Sequence, residues 1–167
     1  MVQEVNDRAA VPASVTRVEL TQLVLPQYTN AIGTIFGGQV AAWIDMCAAI
    51  SAQRFCRTQV VTVSIDELHF LHPIQRGHIA IFRSCVNAAW NRSVEVGVRV
   101  EGEDPLTGER THTASAYTTF VSLVEGHPAP VPRLLSESTD ELRRQGEAEL
   151  RRQSRLRHRD ALEARRG

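Results

Sequence analysis

Asp45 is the residue whose surroundings in the sequence point most directly to chemistry. It lies in the middle of an apolar, alanine-rich helix predicted for residues 37–55. An ionised side chain in an apolar helix is costly unless it is paired or used. Its helical neighbours three and four residues away are all small: Ala41, Ala42, Ala48 and Ala49. A carboxylate on such a stripe indicates space for a ligand, and the alternative is a structural aspartate that caps a neighbouring loop.

Two glycines, Gly37 and Gly38, begin this helix. The first N–H groups of a helix have no acceptor within the helix and point at whatever lies beyond its end. Such donors can polarise a carbonyl group and hold the negative charge that develops on its oxygen. The same glycines also allow a loop and a helix to pack closely, and the local sequence leaves both interpretations open.

Several kinds of chemistry are excluded or disfavoured. The chain contains no lysine, which excludes Schiff-base chemistry and a phosphate loop of the Walker type. His69 and His72 have a spacing that directs their side chains to opposite faces of a strand, and no third ligand is evident. We therefore expect no metal. No G-x-S-x-G motif is present, so a serine-hydrolase mechanism is not indicated.

The composition points to a globular domain with no bias towards charged partners. The chain has 167 residues and a formal net charge of zero, which gives no support to nucleic-acid or membrane-surface binding. No apolar run is long enough to span a bilayer, and the N-terminus lacks the apolar centre of a signal peptide. The three cysteines, Cys47, Cys56 and Cys85, form no disulfide or zinc pattern. We expect a cytoplasmic protein.

Hydrophobic periodicity predicts the elements that must position these residues. A strand at 14–25 precedes the helix, and four strands follow it at 59–70, 78–89, 93–101 and 110–124. A polar helix is predicted at 136–159. One sheet that wraps one apolar helix forms an α+β layer, and its edge strands invite pairing with another subunit.

The chain divides into four parts by composition. Residues 1–12 are expected to form a flexible arm, and 13–125 the main domain. Residues 126–135 are a proline-rich linker that should be extended. Residues 136–167 form a polar helix and tail, which lies on a surface or against a partner chain.

The motif Asn30-x-x-Gly33-x-x-Phe36-Gly37-Gly38, followed by Trp43-Ile44-Asp45, resembles the hotdog-fold acyl-CoA thioesterases of the acyl-CoA hydrolase family. Weaker matching blocks occur in the same order at 61–66, 104–110 and 116–121. The resemblance covers about residues 15–124. It implies an antiparallel β-sheet wrapped around one long central α-helix, with an extra C-terminal helix.

The resemblance also implies an activity and a site. The thioester of a fatty acyl-CoA would be hydrolysed to free acid and CoA, with no cofactor because coenzyme A is part of the substrate. Asp45 and Asn30 match the catalytic residues, which come from opposite subunits, and the N–H near Gly38 would polarise the carbonyl group. Asp45 either activates water as a general base or attacks as a nucleophile. A homodimer is the minimum unit, and trimers of dimers are typical.

Further residues are candidates for substrate and CoA binding. Gly37 at the helix start is one such candidate, and Val61 and Thr62 could line the pantetheine channel or simply pack in their strand. Asn91, Arg92 and Ser93 lie where the family places CoA contacts. Arg92 could pair with a phosphate or remain a solvated turn residue. For Asp66 we expect a structural role, with hydrogen bonds to the backbone of the following turn.

Two other functions are compatible with the same fold. A non-catalytic acyl-CoA sensor usually carries a DNA-binding segment, for which the N-terminal arm is too short. A hotdog hydratase usually needs a paired aspartate and histidine, and no histidine occurs between Asn30 and Asp45.

Overall fold

The central element is helix α1, Gly37–Cys56, which packs against one face of a curved sheet. In this computed structural model, residues 9–165 are described. One side of α1 forms the core, where the ring of Trp43 meets Tyr28 at 5.0 Å and Phe82 at 5.8 Å, both edge to face. The residue after the helix, Arg57, has a φ of 56°, which turns the chain out of the helix.

Residues 9–165 contain eight strands besides this helix. They are β1 (Ala10–Pro12), β2 (Val18–Leu23), β3 (Gln59–Phe70), β4 (Ile79–Ala89), β5 (Ser93–Glu103), β6 (Arg110–Val124), β7 (His127–Pro128) and β8 (Arg133–Leu135). The main sheet has the order β2-β4-β5-β6-β3, all antiparallel, and β7 pairs antiparallel with the end of β6. The short strands β1 and β8 pair in parallel.

Alternation along the strands determines which sheet face meets the helix. In β5 the side chains of Val94, Val96, Val98 and Val100 are buried in the core. The residues between them lie on the opposite face, which we call the outer face. This arrangement is the expected hotdog fold: a curved antiparallel sheet around one central helix, with a C-terminal helix.

The C-terminal helix α2, Thr139–Glu163, begins with a capping box. The hydroxyl of Ser138 accepts a hydrogen bond from the N–H of Glu141, whose carboxylate accepts one from the N–H of Ser138. Ala148 is the one fully buried apolar residue in the described part of α2. Leu142 and Leu150 are 57% and 65% exposed. Polar contacts rather than a large apolar face therefore hold α2 on the sheet.

Several predicted boundaries were wrong. The strand predicted at 14–25 is a 3-10 helix, Ala13–Thr16, followed by β2. The hydroxyl of Thr16 donates to the carbonyl of Ala13 at 2.7 Å, a local bond that competes with an extended backbone.

The ends of the chain also differ from the prediction. Ala10–Pro12, placed in the flexible arm, pairs with Arg133–Leu135 of the predicted linker. Residues 1–8 of the predicted arm lie outside the described residues. The final helix starts three residues later than predicted and continues to Glu163. Among the described residues, no helix has the length and apolarity to cross a membrane.

Candidate active site

The carboxylate of Asp45 is partly exposed on α1 and has one hydrogen-bond partner among the described residues. The hydroxyl of Thr62 in β3 donates to its Oδ1 at 2.7 Å. No main-chain N–H binds the carboxylate in this part of the structure, so Asp45 does not cap a loop within the chain. Its second oxygen, Oδ2, is left to accept a proton or attack a carbon.

A β-bulge in β3 follows the residue that binds Asp45. Thr62 pairs with Phe120 and Ser64 with Thr119, so Val63 is one residue in excess of the partner strand. A bulge bends its strand and redirects the neighbouring side chains. The edge of β3 remains apolar and open around it: Val61, Val63 and Ile65 are 42%, 55% and 42% exposed.

The start of α1 presents two unused donors. The N–H groups of Gln39 and Val40 both donate to the carbonyl of Phe36. Those of Gly37 and Gly38 have no acceptor in the described part of the chain. Both interpretations of the glycines therefore remain possible for Gly38: its N–H is available, and a Cβ there would lie 2.4 Å from the Phe36 ring.

Asn30 is held within its own loop. Its Oδ1 accepts hydrogen bonds from the N–H groups of Ile32 at 3.1 Å and Thr34 at 3.2 Å, and its Nδ2 donates to the Thr34 hydroxyl at 2.8 Å. This side chain is exposed, and its second amide hydrogen has no partner among the described residues. The loop is fixed to the body of the domain by the N–H of Ile35, which donates to the carbonyl of Ile74 at 2.8 Å.

Within one chain the candidate groups form two separate clusters. Gly37 lies against Phe70 at one end of β3, whereas Asp45 meets Thr62 further along the same strand. Gly37 and Asp45 are eight positions apart on α1, which is about 12 Å along the helix axis. The structure thus joins Asp45 to Thr62 but does not join Asn30 or the helix start to Asp45.

Apart from Gly37, which lies in the other cluster, the residues predicted to bind substrate and CoA lie on the side of the Asp45 cluster. Val61 and Ser93 are register partners of the same residue, Val121, on opposite sides of it. Asn91 and Arg92 form the turn between β4 and β5, and the carbonyl of Arg92 accepts the N–H of Ser122. The guanidinium of Arg92 is exposed beyond this turn. Their roles in binding stay a prediction.

Two cavities accompany the clusters. One of about 300 Å³ borders the start of α1 and is lined by residues that include Gly37, Thr34 and Phe70. A larger one, about 620 Å³, lies on the outer face beside α2, with Cys85 and Gly97 among its lining residues. Neither lining includes Asp45, so the carboxylate is reached across the open surface of the chain rather than through an enclosed cavity. The larger cavity lies on the wrong side of the sheet to serve it.

Two contacts differ from the sequence analysis. Asp66 forms an ion pair with Arg155 of α2 and does not bind the backbone of the following turn. Thr62 contacts the candidate catalytic acid itself, a role that the sequence analysis did not assign to it. The available signal was a lone hydroxyl residue within the run Val60 to Val63.

Comparison with known proteins places this arrangement among enzymes. The thioesterase superfamily profile matches residues 32–109. The Bacillus subtilis protein named "Uncharacterized acyl-CoA thioester hydrolase YkhA" is 40% identical over 151 residues, which are 88% of each chain.

Solved structures agree with these matches. The apo form of a hexameric acyl-CoA thioesterase is 38% identical and covers 90% of this chain and 97% of its own, with a TM-score of 0.87. The acyl-CoA hydrolase of Staphylococcus aureus, solved in complex with butyryl coenzyme A, coenzyme A and coenzyme A disulfide, is 32% identical. It covers 95% of this chain and 99% of its own, with a TM-score of 0.83.

Fold and sequence together define a hotdog-fold thioesterase. The chain belongs to the thioesterase superfamily, among its acyl-CoA thioester hydrolases. The resemblance noted in the sequence is thereby confirmed.

Proposed function

We propose that this protein hydrolyses the thioester of fatty acyl-CoA to free fatty acid and CoA, with Asp45 as the acid that acts on the substrate. The observation that carries the proposal is the accessibility of this carboxylate together with its single hydrogen bond within the described structure. The Thr62 hydroxyl donates this bond and orients the carboxylate. An oriented carboxylate beside unpaired helix N–H groups of a second copy supplies what acyl transfer from a thioester needs.

The variants solved for the Staphylococcus aureus enzyme support this choice of residues. An aspartate, an asparagine and a threonine were each replaced by alanine in that protein. Fifteen residues separate its asparagine from its aspartate, and seventeen separate the aspartate from the threonine. Asn30, Asp45 and Thr62 have the same two separations here.

Two routes of hydrolysis fit the geometry. As a general base, Asp45 takes a proton from water through Oδ2 while Thr62 holds Oδ1. The water oxygen bonds to the thioester carbon, and the N–H of Gly38 in the second copy stabilises the oxyanion. The C–S bond then breaks, and the proton passes from Asp45 to the departing CoA sulfur. As a nucleophile, Asp45 itself bonds to the carbon and expels CoA, and water hydrolyses the resulting anhydride.

Labelled water distinguishes the two routes. In a single turnover in oxygen-18 water, the general-base route puts label into the fatty acid alone. Label in the carboxylate of Asp45, found by mass spectrometry of its peptide, would establish the nucleophilic route.

A homodimer as the minimum unit follows from the separation of the two clusters. Gly38 lies about 10 Å along α1 from Asp45 in one chain, and Asn30 lies in the loop before this helix, so in the proposed site a second copy brings its own Asn30 and helix start to this acid. The exposed apolar edge of β3, with Val61, Val63 and Ile65, is suited to pair with the same edge of that copy. The existence of a hexameric relative supports a trimer of such dimers.

Mixed dimers test the catalytic and the subunit assignments together. Asn30→Ala and Asp45→Asn homodimers should each lose about a hundredfold or more of thiol release from acyl-CoA. A dimer with one copy of each variant has one site with both defects and one intact site. After random 1:1 mixing by unfolding and refolding, about half of the dimers are mixed, and half of the sites in these dimers are intact. The mixture should therefore recover about a quarter of the parental rate.

The outcomes separate the alternatives. Asp160→Asn on the exposed side of α2 is the matched control and should leave the rate unchanged. No recovery on mixing would contradict the shared site. Tight acyl-CoA binding without thiol release by the parent protein at any chain length would contradict hydrolysis and favour the acyl-CoA sensor.

A cytoplasmic location is part of the proposal. The mouse relative named "Cytosolic acyl coenzyme A thioester hydrolase" is 34% identical over 148 residues, which are 86% of this chain and 39% of that protein. Fractionation of cells that express the protein, followed by immunodetection, tests the location.

A further inference from the structure

Two arginines one turn apart on α2 bind the outer face of the sheet. Arg151 forms a double hydrogen bond with the carboxylate of Glu95 in β5, at 2.7 Å from Nη2 and 3.2 Å from Nε. Arg155 forms an ion pair with Asp66 in β3. We call Arg151 and Arg155 the arginine brace, since together they connect α2 to two strands that are not neighbours.

The strand between these two contacts is covered by the same brace. The guanidinium of Arg151 lies 3.5 Å from the centroid of the Tyr117 ring in β6, a cation–π contact. Tyr117 is the register partner of Asp66. The brace therefore spans β5, β6 and β3, and Arg155 is its end at the edge strand.

The part of β3 that Arg155 reaches is weakly attached elsewhere. Its pairing with β6 is interrupted at Val63 and again between Asp66 and His69. As the last strand of the sheet, β3 has no neighbour on its other side among residues 9–165. The buried hydroxyls of Ser64 and its register partner Thr119 have no hydrogen-bond partner in the described structure.

This weakly attached segment begins next to the residue that orients the candidate acid. Thr62, which pairs with Phe120, adjoins the first interruption, and Asp66 adjoins the second. Between them only three ladder pairs, those of Ser64, Ile65 and Asp66, connect the segment to β6. Arg155 provides the side-chain hydrogen bond that ties this segment to α2.

We propose that Arg155 is a positioning residue for the reaction: by its ion pair with Asp66 it fixes the bulged segment of β3, and thereby the Thr62 hydroxyl that orients Asp45. The inference rests on the proposed function, because it assigns Arg155 a role in the same site from the opposite face of the sheet. Substrate does not touch Arg155. Its removal changes the placement of a catalytic group and not the binding surface.

The expected effect is on turnover. Displacement of a catalytic group by a fraction of an ångström lowers the rate without much change in binding. Arg155→Ala should lower kcat about tenfold and change KM by less than about twofold. Asp66→Asn should have the same effect, because it removes the other half of the pair. Arg157→Ala, two residues along on the exposed side of α2, is the matched control and should keep the parental kcat.

A double-mutant cycle tests whether Arg155 acts through Thr62. In the Thr62→Val background the hydroxyl is already absent, so Arg155→Ala should lower kcat by less than about twofold there. The charge-exchanged pair Arg155→Asp with Asp66→Arg should recover most of the parental kcat. A tenfold loss in both backgrounds, or a parental kcat for Arg155→Ala, would overturn the inference.

Hydrogen exchange gives a readout that is independent of activity. Peptides from 59–70 should exchange faster in Arg155→Ala than in the parent protein, whereas peptides from 93–103 keep their protection. Unchanged exchange in 59–70 would overturn the positioning role even if the parent released no thiol. Absence of thiol release from the parent protein would count against the proposed function alone. Failure of the positioning role and failure of the proposed function are therefore distinguishable.

Discussion

The Thr62 hydroxyl donates a hydrogen bond of 2.7 Å to the Asp45 carboxylate and so joins the edge strand to the central helix. Helix α1 provides the carboxylate, and Thr62 of β3 binds its Oδ1 and leaves its Oδ2 unbound among the described residues. The orientation of Asp45 therefore depends on how two consecutive elements, α1 and β3, are placed against each other.

Removal of this hydroxyl should impair turnover. Thr62→Val keeps the shape of the side chain but cannot donate a hydrogen bond to Asp45. It should lower kcat about tenfold or more, since general acid–base catalysis depends on correct placement of the acid or base. Thr62→Ser retains the donor and should stay within about threefold of the parent. Thiol release under saturating acyl-CoA provides the measurement. Equal rates for the valine and serine variants would show that the hydrogen bond has no catalytic role.

The buried pair of Glu95 and Arg151 should be important for stability. Glu95 is fully buried and also accepts a hydrogen bond from the amide of Asn87 at 3.2 Å. Arg151→Ala leaves this carboxylate without its cation and should lower the free energy of unfolding by about 3 kcal/mol. Urea denaturation provides the measurement.

Replacement of both partners is the control for that variant. Glu95→Leu combined with Arg151→Leu removes the buried charge as well as its partner, so most of the lost stability should return. If the double variant is less stable than Arg151→Ala, packing around the pair matters more than its charges.

Acid should weaken the start of α2. Hydrogen bonds from the N–H of Glu137 and Ser138, together with Arg17, hold the pKa of Glu141 below its ordinary value of 4.5. A lowered pKa in the folded state stabilises the protein above pH 4.5, and this stabilisation is lost as the pH falls below that value.

Glu141→Gln provides the test of this pH dependence. The parent should be more stable than the variant at pH 7, and the difference should shrink at pH 3.5, as measured by urea unfolding. Glu137→Gln, at an exposed position, is the control. A difference that is the same at both pH values would contradict titration of Glu141 as the cause.

High pH should lower the stability of the folded protein through ionisation of Cys56. Burial raises the pKa of its thiol from 9.0 to about 11. Below pH 9 the thiol is neutral in both the folded and unfolded states. As the pH rises from 9 through 11, thiolate forms first in the unfolded chain, so stability should fall by an amount on the order of 2 kcal/mol.

Comparison with Cys56→Ala isolates this contribution. The variant loses packing at all pH values, but its stability relative to the parent should improve between pH 8.5 and pH 10.5. Slow alkylation of Cys56 by iodoacetamide at pH 8 should accompany this behaviour, because the reactive form is the thiolate. A constant difference between parent and variant would be evidence against the raised pKa.

Much of the fold could be predicted because its patterns are local. The valines at 94, 96, 98 and 100 alternate with polar residues and mark β5, and the apolar run after Gly38 marks α1. The boundaries that were wrong depend on single bonds or on distant partners. The Thr16 hydroxyl binds the carbonyl of Ala13 and favours a 3-10 helix where a strand was predicted, and Ala10–Pro12 becomes a strand only because Arg133–Leu135 lies beside it.

The site was predicted in part for the same reason. Asp45 and Gly38 each stand out within the local sequence of one helix, so both could be named as candidates, but their spacing on that helix does not bring them together. The contact of Thr62 with Asp45 requires the bulge at Val63, which depends on the register of β3 against β6. The ion pair of Arg155 with Asp66 joins residues that are 89 positions apart. No periodicity in the sequence reports contacts of that kind.

The open edge of β3 has a consequence for how the protein behaves at low concentration. In the proposed dimer this edge is covered, and its unsatisfied backbone groups and exposed valines would be left in water whenever a copy parts from its neighbour. Folding and association would then be linked, and the unfolding temperature would rise with protein concentration. Activity at a shared site would depend on concentration in the same way, so specific activity should decline on dilution and return on concentration.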